Sequence, residues 1–323
     1  MSGADPGASA PTRGRAPAGR ALRLAGFILG LALVCAAGVA VASRGDALRA
    51  ALSSARSAPA LLLVLALALP LASLALTSSA QWLLIERHGR VPAPEMLALT
   101  ASSWLLNFLP LWPGMFGRLA YLKAMRGIAL RDSATTVLWA NALSVIGTFG
   151  LLAVLTVLAS FFGGDDPRLA VGAAAPAAIL LALAVYARLV RPRPDPEVWR
   201  LIAVVGFRVL DLHVWAARYA VALAIVGAPV GWGAALALAC IGAVATSIPL
   251  SPGGLGVREW AVGLTAPLLP AALTLQTGLG MHAGLSADLL NRAVEIFLAV
   301  PLGLAASAWL AKRVTKGAAA SAT

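Results

Sequence analysis

Residues 249–256 read Pro-Leu-Ser-Pro-Gly-Gly-Leu-Gly, and residues 110–117 read Pro-Leu-Trp-Pro-Gly-Met-Phe-Gly. Pro110, Leu111, Pro113, Gly114 and Gly117 recur 139 positions later as Pro249, Leu250, Pro252, Gly253 and Gly256, with Gly254 added inside the second copy. A long apolar segment precedes each phrase and an arginine follows it, Arg118 in the first case and Arg258 in the second. Proline removes a backbone donor and glycine opens conformations closed to other residues, so each phrase interrupts a helix. Matched interruptions of apolar segments in two halves of a chain point to a binding site inside a membrane transporter. The competing explanation is chance recurrence in a chain that holds 31 Gly and 20 Pro.

Composition sets the solvent. The 323 residues are 60% hydrophobic and 12% charged, with a mean hydropathy of +0.87. A soluble domain needs far more polar surface to cover its core, so the chain reads as a polytopic membrane protein. The formal charge of +12 would suggest nucleic acid in a soluble protein. Here arginine gathers in short loops, as expected of segments kept in the cytoplasm beside anionic headgroups, and no basic face alternates with exposed aromatics. No nucleic-acid partner is expected. Cys35 and Cys240 lie in apolar segments and read as small hydrophobes. His88, His213 and His282 are far apart and show no zinc spacing, so no metal or other cofactor is expected.

Apolar runs divide the chain. Residues 1–20, rich in Ala, Gly, Pro and Arg, read as a disordered basic cytoplasmic tail. Full spans are expected at about 24–42, 58–85, 132–162, 169–190, 198–226 and 281–310. The first could also be a signal peptide, with Ala40-Val41-Ala42 as a cleavage site, but its length suits a retained helix. Residues 94–125 and 232–269 each split into two arms around a Pro/Gly phrase. Neither arm reaches the roughly 20 residues of a crossing, so each pair reads as a re-entrant hairpin covered by protein or a wet cavity. The expected fold is thus an all-α polytopic membrane protein with about six full spans plus two re-entrant helical hairpins in an inverted repeat. The membrane domain covers 21–313, its repeat halves run from about 58–162 and 198–310, and 314–323 form a cytoplasmic tail.

Charge asymmetry orients this layout. With Arg13, Arg15 and Arg20 inside, the first hairpin opens from the cytoplasm beside Arg87, Arg90, Lys123, Arg126 and Arg131. Asp165 and Asp166 then fall outside, and the 188–200 loop and the Lys312–Lys316 tail fall inside. Only Arg44, Arg49 and Arg56 run against the rule. An odd number of full spans separates the hairpins, so they enter from opposite faces. The expected location is the bacterial inner membrane, multi-pass, with both termini cytoplasmic.

Ionisable groups at membrane depth cost about 2.5–3.5 kcal/mol each on the insertion scale and mark function by default. Arg208, Asp211, Trp215 and Arg218 share one face of the fifth span, and Asp288, Arg292 and Glu295 share one face of the last. Arg258 and Glu259 follow the second phrase, Arg118 and Tyr121 follow the first, and Asn141 sits within the third span. The candidate substrate-binding set is Arg118, Tyr121, Asn141, Asp211, Arg218, Arg258, Glu259, Asp288, Arg292 and Glu295. A helix restarting after a break offers free N–H groups and a positive dipole end to an anion such as phosphate. The alternatives are internal ion pairs, such as Asp288 with Arg292, and snorkelling for Arg208.

The second phrase with its flanks, Ser247-Ile-Pro-Leu-Ser-Pro-Gly-Gly-Leu-Gly-Val-Arg-Glu259, resembles the signature of the flippase-like membrane domain of lysylphosphatidylglycerol synthases. Asn107-Phe-Leu-Pro-Leu-Trp-Pro-Gly-Met-Phe-Gly-Arg118 is similar to that family's weaker N-terminal counterpart. The first copy departs from it in the bulk of Trp112, Met115 and Phe116 and in lacking an acidic group. The likeness runs over about residues 20–312. It implies translocation of a polar-headed membrane lipid or lipid-linked intermediate, in a stand-alone member without an aminoacyl-transferring domain. Two other classes stay open. One is a membrane-embedded lipid transferase, which would need an acid/base or metal constellation. The other is a non-transporting scaffold partnering a lipid-biosynthesis enzyme. No Gly-x-x-x-x-Gly-Lys loop suggests ATP-driven pumping, and no pattern specifies an oligomer.

Overall fold

The computed structural model describes residues 58–108, 113–162, 196–247, 256–269 and 279–320, and every regular element within them is helical. The helices are α1 (Ala60–Ile85), α2 (Ala93–Leu106), α3 (Pro113–Arg126), α4 (Leu130–Phe162), α5 (Pro196–Ile225), α6 (Trp232–Ser247), α7 (Val257–Thr265) and α8 (Met281–Ala320), with a 3₁₀ turn at Ala266–Leu268 after α7. Two of them, over Ala60–Ile85 and Met281–Thr315, are long and apolar enough to cross a membrane. The spans expected at 24–42 and 169–190 lie outside the described residues. So do Pro110, Pro249, Pro252, Gly253 and Gly254.

The all-α expectation holds among the described residues, and the two interrupted segments each resolve into a pair of short helices. α2 and α3 have 14 residues each, α6 has 16 and α7 has 9. At 1.5 Å per residue none exceeds about 24 Å, short of a hydrocarbon core of about 30 Å. Pro113 opens α3, where its missing N–H costs nothing. Lys123 and Arg126 sit in the last turn of α3, against the negative end of its dipole. Gly127, with φ +66, then closes it: Ile128 N donates to Leu122 O at 3.3 Å and Gly127 N to Lys123 O at 3.2 Å. Gly256, with φ +79, turns the chain into α7 in a conformation that penalises any Cβ.

The two halves share one packing scheme. α2 begins at Ala93 and α6 at Trp232, 139 positions apart, and α3 ends at Arg126 and α7 at Thr265, again 139 apart. α1 packs on α5. Among the described residues each of the other main packed pairs has a counterpart: α1 with α2 and α5 with α6, α2 with α3 and α6 with α7, α2 with α8 and α6 with α4, α3 with α4 and α7 with α8, α4 with α5 and α8 with α1, and α1 with α4 and α5 with α8. Exchanging the halves maps the set of packed pairs onto itself.

Small residues set the close approaches. A Cβ on Gly114 would lie 2.4 Å from the Ser103 carbonyl oxygen, so α2 and α3 touch backbone to backbone. A Cβ on Gly303 would lie 2.4 Å from that of Leu105, which seats α8 on α2. Such contacts, more than bulk hydrophobicity, hold helices together in lipid. The largest buried apolar cluster among the described residues surrounds α6, where Ala234, Ala235, Leu236, Leu238, Ala239 and Cys240 are fully buried beside Leu212, Ala216 and Tyr219 of α5. The outer faces are apolar too. Leu61 and Val64 on α1, Leu138 and Ile146 on α4 and Phe297 and Leu304 on α8 are all exposed.

Candidate functional site

Many of the polar side chains within the described helices line one cavity. A cavity of about 530 Å³ opens between the halves, walled by α1, α2, α3, α4, α5, α6 and α8. The first half contributes mostly neutral groups. Ser73, Thr77 and Gln81 stand at i, i+4 and i+8 on α1, one polar stripe on a mostly apolar helix. Thr100, Ser103 and Asn107 come from α2 and its end, and Asn141, Ser144 and Thr148 from α4. The charges on the wall are Arg118 of α3, Arg208, Asp211 and Arg218 of α5, and Glu295 of α8.

α5 is tied to the stripe on α1. Ser73 Oγ donates to Asp211 Oδ1 at 2.5 Å and Thr77 Oγ1 to Asp211 Oδ2 at 3.3 Å. Trp215 Nε1 donates to Ser73 Oγ at 3.2 Å. Arg208 Nη1 reaches Thr77 Oγ1 at 3.4 Å and stands 4.0 Å from Asp211. Across the cavity, Arg118 donates to the side-chain oxygen of Gln81, which also accepts from Thr100 Oγ1 at 3.4 Å.

Behind this wall lies a buried ion network that joins α5, α7 and α8. Arg258 Nε donates to Asp288 Oδ2 at 3.0 Å, and Arg258 Nη1 donates to the Glu295 oxygens at 3.2 and 3.3 Å. Arg218 bonds the same Glu295 carboxylate, and Arg292 Nη1 reaches it at 3.4 Å. Arg292 Nε donates to Glu259 Oε1 at 3.0 Å, and Tyr219 OH to Asp288 Oδ1 at 2.6 Å. The Arg218 and Arg258 guanidiniums lie 5.2 and 5.4 Å from the centre of the Trp215 ring, and Arg292 lies 5.8 Å from that of Phe108. Phe108 lies two residues past the end of α2, and Arg258 and Glu259 sit in the first turn of α7, so parts of both interrupted segments meet at Arg292.

These placements divide the expected binding residues. Arg118, Asn141, Asp211, Arg218 and Glu295 line the cavity. Arg258, Glu259, Asp288 and Arg292 form the network behind it, with Arg218 and Glu295 shared between the two. Arg258 is 2% exposed and Asp288 and Glu259 are fully buried, so their charges face one another and not the open space. Asp288 accepts hydrogen bonds from Arg258 and Tyr219, both on other helices. Tyr121 stands apart, against the apolar cluster of Ile85, Val91, Met96, Leu99 and Leu122. Of the Pro/Gly residues, Pro113, Gly114 and Gly117 form the first turns of α3, and Gly256 precedes α7.

Arg208, weighed in the sequence as a snorkelling group, is a wall residue. Ser73, Thr77 and Gln81 were missed. Their four-residue spacing on an apolar segment was the signal that could have found them.

A second acidic centre lies outside the two candidate spans, at the start of α2. Glu95 Oε1 accepts from Arg126 Nε at 2.8 Å and its Oε2 from Arg313 Nη1 at 2.8 Å, with a further Arg126 bond to Oε2. Burial works to raise the pKa of Glu95, but the bonds and charges of Arg126 and Arg313 outweigh it and hold the carboxyl below its ordinary value. The cluster fastens both arms of the first interrupted segment to the far end of α8.

Comparison with protein-family models, curated proteins and solved structures returns no match.

Proposed function

We propose that this protein is a multi-pass inner-membrane carrier that moves a polar-headed lipid between leaflets, with the headgroup in the cavity and the acyl chains left in the bilayer. The single observation that carries this reading is the cavity itself. It holds Arg118, Arg208, Asp211 and Arg218 on a wall of hydroxyls and amides, in a chain whose outer faces are apolar. Its volume of about 530 Å³ is ample for a headgroup. A charged headgroup crossing hydrocarbon has lost its water, and these side chains replace it. Arginine is suited to this task because its planar fork matches phosphate oxygens.

In this reading the helix pairs α2–α3 and α6–α7 are re-entrant hairpins entering from opposite faces, and the halves form an inverted repeat. About six full spans surround them, with both termini cytoplasmic. The matched packing scheme and the 139-residue offset support that arrangement. Rocking one half against the other would expose the cavity to each side in turn. The sequence resemblance to the flippase-like domain points the same way.

Purified protein in liposomes, with a fluorescent phospholipid in the inner leaflet, tests the reading. Wild type should speed appearance of the label outside over protein-free liposomes. Ala142→Trp, which puts an indole where a methyl lines the cavity, should abolish the gain without changing the melting temperature by more than a few degrees. A wild-type rate equal to the protein-free rate would refute the assignment.

A further inference from the structure

Charge counting around the cavity leaves one cation over. In the buried network Arg218, Arg258 and Arg292 face Glu259, Asp288 and Glu295. On the wall Arg208 faces Asp211 at 4.0 Å. Arg118 has no such counterpart. Its guanidinium is held by the neutral amide of Gln81, and among the described residues no carboxylate comes within ion-pair distance of it.

The burial of this group makes the imbalance costly. Arg118 is 7% exposed and the Arg208 side chain 10%. Both side chains line the same cavity and are held one helical turn apart on α1, Arg118 by Gln81 and Arg208 by Thr77. Arg208 Nε is buried and has no hydrogen-bond partner among the described residues. A buried charge held only by neutral dipoles has lost its hydration without full replacement. An incoming group that offers one negative charge and two or more acceptor oxygens would cancel the excess and serve both forks.

We propose that Arg118 and Arg208, backed by Gln81, form a seat for a singly charged oxyanion, the phosphodiester of a lipid headgroup or a free phosphate monoanion. This rests on reading the cavity as the headgroup path and narrows the headgroup's chemistry. A diphosphate brings more than one charge and would turn the site from one excess cation to an excess of anions. The seat is therefore matched to phosphodiesters over diphosphate-linked carriers. Gln81 fits the role because an amide can orient Arg118 without neutralising it; a carboxylate at that position would fill the seat from within.

The full chain, stripped of lipid in a neutral maltoside, would be titrated with dihexanoyl phosphatidylglycerol, with inorganic phosphate and with a short prenyl diphosphate. Binding would be read from the fluorescence of Trp104 and Trp215 in the cavity wall and from the melting temperature. Wild type should bind one phosphatidylglycerol per chain, and more tightly than the diphosphate. Arg118→Gln should weaken binding by about tenfold or more, the loss expected for a charge-assisted contact. It should also raise the melting temperature of the empty protein, since it removes an uncompensated charge; a purely structural arginine would do the reverse. Gln81→Glu should block binding while keeping the fold.

Inorganic phosphate binding as tightly as the lipid would assign the seat to free anion, and much weaker binding would assign it to the headgroup. Diphosphate binding more tightly than phosphatidylglycerol overturns the proposal. So does wild-type affinity in Gln81→Glu or in Arg118→Gln. The measurement needs no bilayer, so it stands apart from lipid movement. Loss of the seat leaves a transport result intact, and absence of transport leaves the seat intact.

Discussion

Glu295→Gln should be the most damaging conservative change in the buried network, and the geometry sets its size. The carboxylate meets Arg218, Arg258 at 3.2 and 3.3 Å, and Arg292 at 3.4 Å. Glutamine keeps the shape and one acceptor oxygen but removes the charge. Three guanidiniums would then face only Glu259 and Asp288. Breaking a buried pair from one side costs about 3–5 kcal/mol, because the remaining charge keeps its desolvation penalty without compensation. Arg218→Gln/Glu295→Gln restores equal numbers of cations and anions. The double variant should therefore be more stable than Glu295→Gln alone, with a coupling energy of about 1–3 kcal/mol. Unfolding of the four proteins in detergent, followed by tryptophan fluorescence, measures both quantities. A Glu295→Gln protein within about 0.5 kcal/mol of wild type, as at an ordinary surface site, would refute the reasoning. So would strict additivity in the double variant, since it would mean that the arginines do not feel one another through this carboxylate.

Two further expectations concern the first interrupted segment. Gly114→Ala places a methyl 2.4 Å from the Ser103 carbonyl oxygen and 2.5 Å from Asn107 Oδ1, so α2 and α3 must separate at a cost of about 1–3 kcal/mol. Gly117→Ala, three residues on in the same helix, meets nothing within 4 Å and should be neutral or stabilising by up to about 1 kcal/mol. Equal melting temperatures for the two variants would sink the backbone-contact argument. For Glu95 the sign follows from its lowered pKa. The carboxylate stabilises the fold at neutral pH, and this contribution fades as pH falls through the lowered value. The stability gap between wild type and Glu95→Gln should therefore be full near about pH 6 and shrink toward about pH 3. A gap that widened on acidification would contradict the assignment of Arg126 and Arg313 as its partners.

The helical class, the two interruptions and the identity of most of the charged residues could be read from the chain alone. Hydropathy, Pro/Gly punctuation and the 139-residue recurrence are local or periodic properties, and lipid tolerates little backbone other than helix. The division of labour among the charges could not be read. Periodicity put Arg208, Asp211 and Arg218 on one face of α5, but which of them meets open space and which meets a carboxylate depends on what packs opposite. Ser73 and Thr77 of α1 and Glu295 of α8 decide that. Arg258 stood out in sequence because it restarts a broken helix. The fold buries it against Asp288 and Glu295, 30 and 37 positions further on. Spacing along a helix reports which side chains share a face; it carries no information about the charge on the facing helix. Only the assembled helices leave Arg118, among the described charges of the cavity wall, without a carboxylate, because desolvation and pairing belong to the packed whole.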